Sequence, residues 1–264
     1  MYQTRYLRAA DVADAAAKLD DDAKLLAGGM TLLPTMKQRL ASPEVLVDLA
    51  YCGLFGIEDT GDAIKIGAMT RHANVESSEI VQRAIPGLAA LASHIGDRQV
   101  RNRGTIGGSL ANNDPSACYP AAALALSATI HTNARDIEAE DYFLGMFETA
   151  LEEDEIILAV SFPKPEAAAY AKFPNPASRY AIAGVFVART TGDGVHVAVT
   201  GAGDDGVFRH AAMEAALNIS FTPAALDDVE ISSDEMISDI HADADYRAGL
   251  VREMAKRAVT ACQA

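Results

Sequence analysis

Cysteine is scarce: Cys52, Cys118 and Cys262 are the three in 264 residues, far apart and never in a CxxC pair. That spacing can assemble neither a structural zinc site nor an iron–sulfur cluster from this chain alone, and it points to reduced thiols. Long apolar runs are missing too. The longest, AAALALSATI at 121–130, falls well short of the roughly 20 residues that span a bilayer. The segment Met1 to Leu19 has no apolar core followed by a small-residue cleavage site, so a cytoplasmic location is expected. Basic residues are outnumbered, 22 Lys+Arg against 37 Asp+Glu, for a formal net charge of −15. A field of that sign repels phosphate backbones and anionic headgroups, which excludes nucleic acid and membrane surfaces as general partners. Backbone N–H groups in a concave site can still hold a small anionic cofactor against that field.

Several catalytic signatures are also absent. The histidines His72, His94, His131, His196, His210 and His241 show no HxxxH or Cys/His spacing, so metal ligation has no support. No GxSxG elbow or Ser-His-Asp order is present, and no GKS or GKT ending for a triphosphate loop. What remains is half apolar and 22% charged, the make-up of a chain that folds around a core, at a length that suggests two domains.

Helix and strand signals alternate through the first 160 residues. Asp11 is placed to cap an Ala-rich helix over 12–19, followed by the strand KLLAGG and a helix TLLPTMKQRL with Pro34 in its first turn. Strands follow at 44–49 and 63–69, then a helical region over 79–95 interrupted near Pro86, a helix over 116–127 and a strand SATIHT. The acidic tract Glu152 to Glu155 reads as a solvated turn, and Pro163 and Pro165 as the start of an interdomain linker. Beyond it lie strands near 180–189 and 195–200 joined by Thr-Gly-Asp-Gly, and a helical end.

Two glycine loops carry the chemistry. Leu26-Ala27-Gly28-Gly29-Met30-Thr31 joins a strand to a helix, so its N–H groups can reach a phosphate, with Thr31 as cap or ligand. Read plainly, it is also a common strand-to-helix turn. The second loop, Ile95 to Pro115, crowds Arg98, Arg101 and Arg103 against Gly104, Thr105, Gly107, Gly108, Ser109, Asn112 and Asn113, the make-up of an anion nest. The alternative is a corner whose arginines form surface ion pairs. A third run, Gly201-Ala202-Gly203-Asp204-Asp205-Gly206, matches GxGxxG but lacks a second buried strand after its helix, and reads as a structural loop. Cys118, at a predicted helix start, is either an activated thiol or a small buried hydrophobe.

Taken in order, Ala27 to Pro34, Gln99 to Ser109, Asn113-Asp114-Pro115 with Tyr119-Pro120, Asp154 to Ile157, Tyr170 to Phe173 and Ser178 to Ile182 span nearly the whole chain. This series resembles the FAD-binding medium subunit of the xanthine dehydrogenase and carbon monoxide dehydrogenase family. The resemblance implies an α+β, two-subdomain FAD-binding fold of the vanillyl-alcohol-oxidase and muramate-reductase kind. It implies an FAD-binding domain over 1–163, with subdomains of about 1–56 and 57–163. A C-terminal α+β domain over 164–264, with a three-stranded antiparallel sheet and helices, would follow.

The family's cofactor contacts carry over to Lys24, Leu25, Leu26, Ala27, Gly28, Gly29, Met30 and Thr31, and to Thr105, Ile106, Gly107, Gly108 and Ser109, which would wrap the FAD diphosphate. Asp114, Cys118, Ile157 and Lys172 would lie at or near the cofactor. Cys118 departs from the pattern, standing where many relatives have an aspartate, and Met30 fills a variable position. The implied work is electron transfer: FAD takes electrons from iron–sulfur clusters on a [2Fe-2S] small subunit, in a complex with a molybdenum-cofactor large subunit, and passes them to an external acceptor. No catalytic acid or base is expected, because the flavin carries the chemistry. A stand-alone flavin oxidase or reductase, or a binding module without cofactor, are the other classes this pattern could serve.

Overall fold

The structure, a computed structural model, describes residues 1–263. The chain begins with strictly alternating elements: β1 (Arg5–Arg8), α1 (Val12–Ala16), β2 (Ala23–Leu26), α2 (Leu32–Lys37) and β3 (Val45–Asp48). Parallel strands cannot be joined by tight hairpins, so the two helices serve as crossovers. They set the order β1-β3-β2 with β3 in the middle, parallel to both neighbours. Val45, Leu46 and Val47 are all buried, as expected for a central strand covered on both faces. Asp11 caps α1 as its sequence position predicts, accepting from the Asp14 N–H at 2.8 Å.

The middle of the chain is helical between two groups of strands. After β4 (Ile57–Asp59) and β5 (Ala63–Gly67) come α3 (His72–Ser77), α4 (Glu79–Ala84), α5 (Pro86–Ser93), α6 (Arg98–Arg101), α7 (Ile106–Asn112) and α8 (Tyr119–Ala125). Then follow β6 (Thr129–Thr132), β7 (Asp136–Glu138), α9 (Ala139–Tyr142), a small hairpin of β8 (Phe143–Gly145) and β9 (Glu148–Thr149), and β10 (Ile157–Pro163). The five-stranded sheet runs β4-β5-β10-β6-β7, antiparallel throughout. Period two decides which residues of β5 are covered: Ile64 and Ile66 are fully buried while Lys65 is exposed. Pro86 divides the helical region where its missing N–H predicts, ending α4 and opening α5.

The remainder holds β11 (Ala167–Pro174), β12 (Ala181–Thr190), β13 (Gly194–Gly203), β14 (Gly206–Arg209), α10 (Ala211–Ile219) and α11 (Ala244–Cys262). This sheet has four antiparallel strands in sequence order, which corrects the expectation of three. The strand ends were hidden in glycine punctuation. Gly201 and Gly203 lie in β13, Asp204 and Asp205 make the turn, and Gly206 opens β14, so the GxGxxG run is a hairpin rather than a loop before a helix. Alternation along β12 buries both faces: Phe186 and Ala188 join the core of the middle helices, while Val185 and Val187 pack under α10 and α11. The hydrophobic core is therefore continuous from the middle sheet onto one face of the C-terminal sheet.

Candidate functional site

A cleft of about 730 Å³ is lined from the three larger sheets, by β2 and the loop after it, by α7 and the start of β10, and by Lys172 of β11. Its size is that of a small-molecule site. Of the residues singled out from the sequence, Lys24, Leu25, Ala27, Gly28, Gly29, Met30, Thr31, Thr105, Gly107, Gly108, Ser109, Asp114, Cys118, Ile157 and Lys172 all line it. Leu26 and Ile106 do not. Ile106 is fully buried in the core behind the cleft, where an apolar side chain at the first position of α7 packs inward.

The first loop has a backbone with work left to do. Gly29 turns it at φ +72, a conformation open to glycine. Among the described residues, the N–H groups of Gly28, Gly29, Met30, Thr31 and Leu32 donate to no protein acceptor. Thr31 makes no capping bond, which leaves its hydroxyl for a ligand rather than for the helix. Gly28 is required by packing instead of dihedral angle: a Cβ there would overlap the carbonyl oxygen of Arg103, so the two loops touch backbone to backbone.

The second loop spends its donors inside the protein. Ile106 N–H donates to the Thr70 carbonyl at 3.1 Å and Gly107 N–H to that of Ala68 at 2.9 Å. Gly108 N–H donates to Thr105 Oγ1 at 3.2 Å and Ser109 N–H to the Thr105 carbonyl at 3.0 Å. The sequence suggests a nest of donors here, but the strap 68–72 and the cap at Thr105 occupy them. The loop's glycines admit that strap, since a Cβ on Gly107 would lie 2.6 Å from Ala68 Cβ, and one on Gly104 2.5 Å from His72 Nε2. Gly108 differs. A Cβ there would meet only Thr105 Oγ1 at 2.9 Å and Ala27 Cβ at 3.6 Å, on the cleft side. Of the three arginines, Arg101 pairs with Glu76 at 2.8 Å and donates to the Ile95 and Gly96 carbonyls. Arg101 thus forms an ion pair, but from a mostly buried side chain rather than on the surface.

Also on the cleft lining, Asp114 accepts from Ser116 N–H at 2.8 Å, and burial raises its carboxyl above the usual carboxylate range. Lys172 Nζ donates to the His94 carbonyl at 2.9 Å and reaches Cys118 Sγ at 3.3 Å. Cys118 is buried, as a small hydrophobe would be, yet lies on the cleft wall beside a cation.

Residues that the sequence reading left out complete the lining. His72 is buried with Nδ1 unpartnered, and burial, aided by Arg101, pushes its imidazole down to about 4. Glu155 corrects the reading of 152–155 as a solvated turn. Its carboxylate is buried on the lining and accepts from Thr132 Oγ1 at 2.6 Å, Arg135 Nε at 3.1 Å and Glu152 N–H at 3.0 Å. Burial opposes its ionisation, but those donors hold it below the ordinary range. Ser178, Arg179 and Tyr180 line the cleft from a turn organised by buried Asn175, whose Oδ1 accepts from Ala177 and Ser178 N–H. The motif Ser178-Arg179-Tyr180 signalled this segment, but nothing local told that the turn would face the cleft.

The residues present fit a dinucleotide with a diphosphate: a run of free N–H groups shares one cleft with Thr105 and Ser109, in a volume lined from several elements. Residues 2–165 match the family described as the FAD binding domain in molybdopterin dehydrogenase. The chain is 39% identical over 271 aligned positions to the nicotine 6-hydroxylase medium subunit of Paenarthrobacter nicotinovorans, covering 97% of this chain and 95% of that one. It is 37% identical to the carbon monoxide dehydrogenase medium chain of Hydrogenophaga pseudoflava, covering 94% and 91%. Among solved structures, the reconstituted CO dehydrogenase from Oligotropha carboxidovorans superposes with a TM-score of 0.90 at 32% identity, over 100% of this chain and 99% of that one. With its fold, its cleft and its motifs in that order, the chain belongs to the FAD-binding domain family of the molybdopterin dehydrogenases.

Proposed function

We propose that this chain is the FAD-carrying electron-transfer subunit of a molybdenum hydroxylase complex, acting with a molybdenum-cofactor large subunit and a [2Fe-2S] small subunit. Bound FAD supplies the redox chemistry, accepting electrons from the iron–sulfur partner and yielding them to an external acceptor. The observation that carries the reading is the run of five unpartnered N–H groups at Gly28 to Leu32, directed by the turn at Gly29. Those groups hold the diphosphate, and they offset locally the net charge of −15 that would otherwise repel it. Ser109 offers its hydroxyl to the same anion, while Thr105, whose Oγ1 accepts from Gly108 N–H as the cap of α7, holds the loop beneath it. Lys24, Leu25 and Ala27 shape the wall under it, and Asp114, Cys118, Ile157 and Lys172 are assigned to the flavin ring. No side chain of this set has to donate or accept a proton in a bond-breaking step.

We place the domain division at 163, with subdomains of 1–56 and 57–163 before the C-terminal domain. The family match over 2–165 supports that division, as does the confinement of each major sheet to one of the three segments. No helix among the described residues is long and apolar enough to cross a membrane. A cytoplasmic location goes with this reading, supported by three unpaired cysteines.

The test is the visible spectrum of the purified chain, before and after added FAD and then dithionite, with Gly108→Glu alongside. Flavin bands that bleach on reduction are expected. The introduced carboxylate enters the cleft with a negative charge, and FAD affinity falls about a hundredfold. A chain that neither retains nor takes up flavin, even co-expressed with its partner subunits, would sink the reading.

A further inference from the structure

Resting on the FAD assignment, we propose that Cys118 is an oxidation site on the wall of the cofactor cleft, a thiol that hydrogen peroxide converts to a sulfenic acid held between Lys172 and Tyr170. Three observations meet at this sulfur. Lys172 Nζ lies 3.3 Å from Sγ and is fixed there by its bond to the His94 carbonyl. Tyr170 leaves the same face of β11 two residues earlier, is almost wholly buried, and has a hydroxyl with no hydrogen-bond partner. That hydroxyl borders Cys118 and sits where Gly184 of the neighbouring strand leaves room, since a Cβ there would overlap it. A buried hydroxyl without a partner is costly, and an oxygen added to the sulfur gives it one.

The chemistry balances with one co-reactant. Cys118 Sγ attacks one oxygen of hydrogen peroxide; the S–O bond forms as the O–O bond breaks, and sulfur gives up two electrons. The thiol proton ends on the departing oxygen, which leaves as water. Lys172 promotes the attack by holding its ammonium group 3.3 Å from the reacting sulfur. The other two thiols lack this arrangement. Burial pushes Cys262 up to about 12, and burial together with Asp11, Asp14 and Asp48 raises Cys52. Both are internal controls.

The experiment exposes the purified protein to hydrogen peroxide with dimedone present and follows each cysteine by peptide mass, recording the flavin spectrum of the same samples. Cys118 is expected to label about tenfold faster than Cys52 or Cys262. Lys172→Met slows Cys118 about tenfold while the other two rates stand, which also reports that the fold is intact. Tyr170→Phe leaves the first oxidation in place but shortens the life of the product, read as faster gain of a second oxygen. Labelling of Cys118 no faster than of Cys262, or an unchanged rate in Lys172→Met, would overturn the proposal. Binding of FAD should slow the labelling; flavin bound without slowing would remove the thiol from the cofactor's cleft. Rapid Cys118 labelling in a chain that takes up no flavin would refute the FAD assignment alone.

Discussion

The loops at 28–31 and 105–109 are both rich in glycine, both open a helix and both line one cleft, yet their backbones are used in opposite ways. In the first, consecutive N–H groups are left without acceptors. In the second, the N–H groups of Ile106, Gly107, Gly108 and Ser109 are taken by the Thr70, Ala68 and Thr105 oxygens. The difference comes from the strap 68–72, which crosses the second loop and has no counterpart over the first. Glycine therefore means two things here. At Gly29 it supplies a turn, and at Gly28, Gly104 and Gly107 it lets another backbone or ring come close. On the proposed reading the first loop holds the diphosphate, and the second loop buttresses the first through the contact of Gly28 with Arg103.

The sharpest way to break that division is Gly28→Ala. The new Cβ would overlap the Arg103 carbonyl, and no side-chain rotation relieves a clash between two backbones. The loops must separate, at a cost of about 3 kcal/mol in stability, and FAD affinity should fall about a hundredfold. Gly108→Ala meets no backbone and serves as the reference. Urea unfolding and a flavin-fluorescence titration read both quantities; native-like binding by Gly28→Ala would dismiss the buttress.

Protonation probes the second loop alone. The backbone N–H of His72 donates to the Gly104 carbonyl at 3.0 Å, and its ring packs against Gly104. Its imidazole titrates near 4 in the folded chain against 6.5 unfolded, so the unfolded state binds the proton first as pH falls. Stability from this group is complete above pH 6.5 and is lost progressively towards pH 4. The limit of that loss is about 3 kcal/mol. His210 is shifted the same way but is common to both proteins when His72→Asn is compared with the parent. The parent's stability should fall more steeply than the variant's between pH 7 and pH 4.5 in urea titrations, and parallel slopes would clear His72 of the effect.

Much of this was legible from the residues because the signals were local. Alternation in EVLVDL and AIKIGAM, the cap at Asp11 and the break at Pro86 each depend on neighbours within one turn or one pleat. The cleft-lining positions were legible through family order, which places Ile157 and Lys172 beside loops far away in sequence. What was hidden depends on pairing. The fourth strand, Gly206–Arg209, is short and follows a two-residue turn, so its existence rests on β13 rather than on its own composition. Glu155 looked solvated because the residues before it in the tract are all acidic, while Arg135 and Thr132, which bury it, lie some 20 residues earlier. The fate of the second loop's N–H groups was equally out of reach, since residues 68–70 accept two of them from across the fold.

The smallest predicted effect separates the two loops most cleanly. Thr31 and Thr105 both precede a helix, and threonine is a residue type that caps one. Only Thr105 acts as one, its Oγ1 accepting from Gly108 N–H, whereas Thr31 has a helical backbone and no capping bond. Thr105→Val should therefore cost about 1 kcal/mol of stability, the usual loss for a removed cap. Thr31→Val should stay within about 0.5 kcal/mol of the parent but weaken FAD about tenfold, the worth of one hydrogen bond to a charged group. Thermal unfolding without FAD and flavin titration of the same two variants measure the pair. The opposite assignment, with Thr31 governing stability and Thr105 governing affinity, would exchange the roles of the loops. If the division is correct, the double variant loses the sum of the two effects, because a cap lost inside one loop and a ligand lost from the other share no partner.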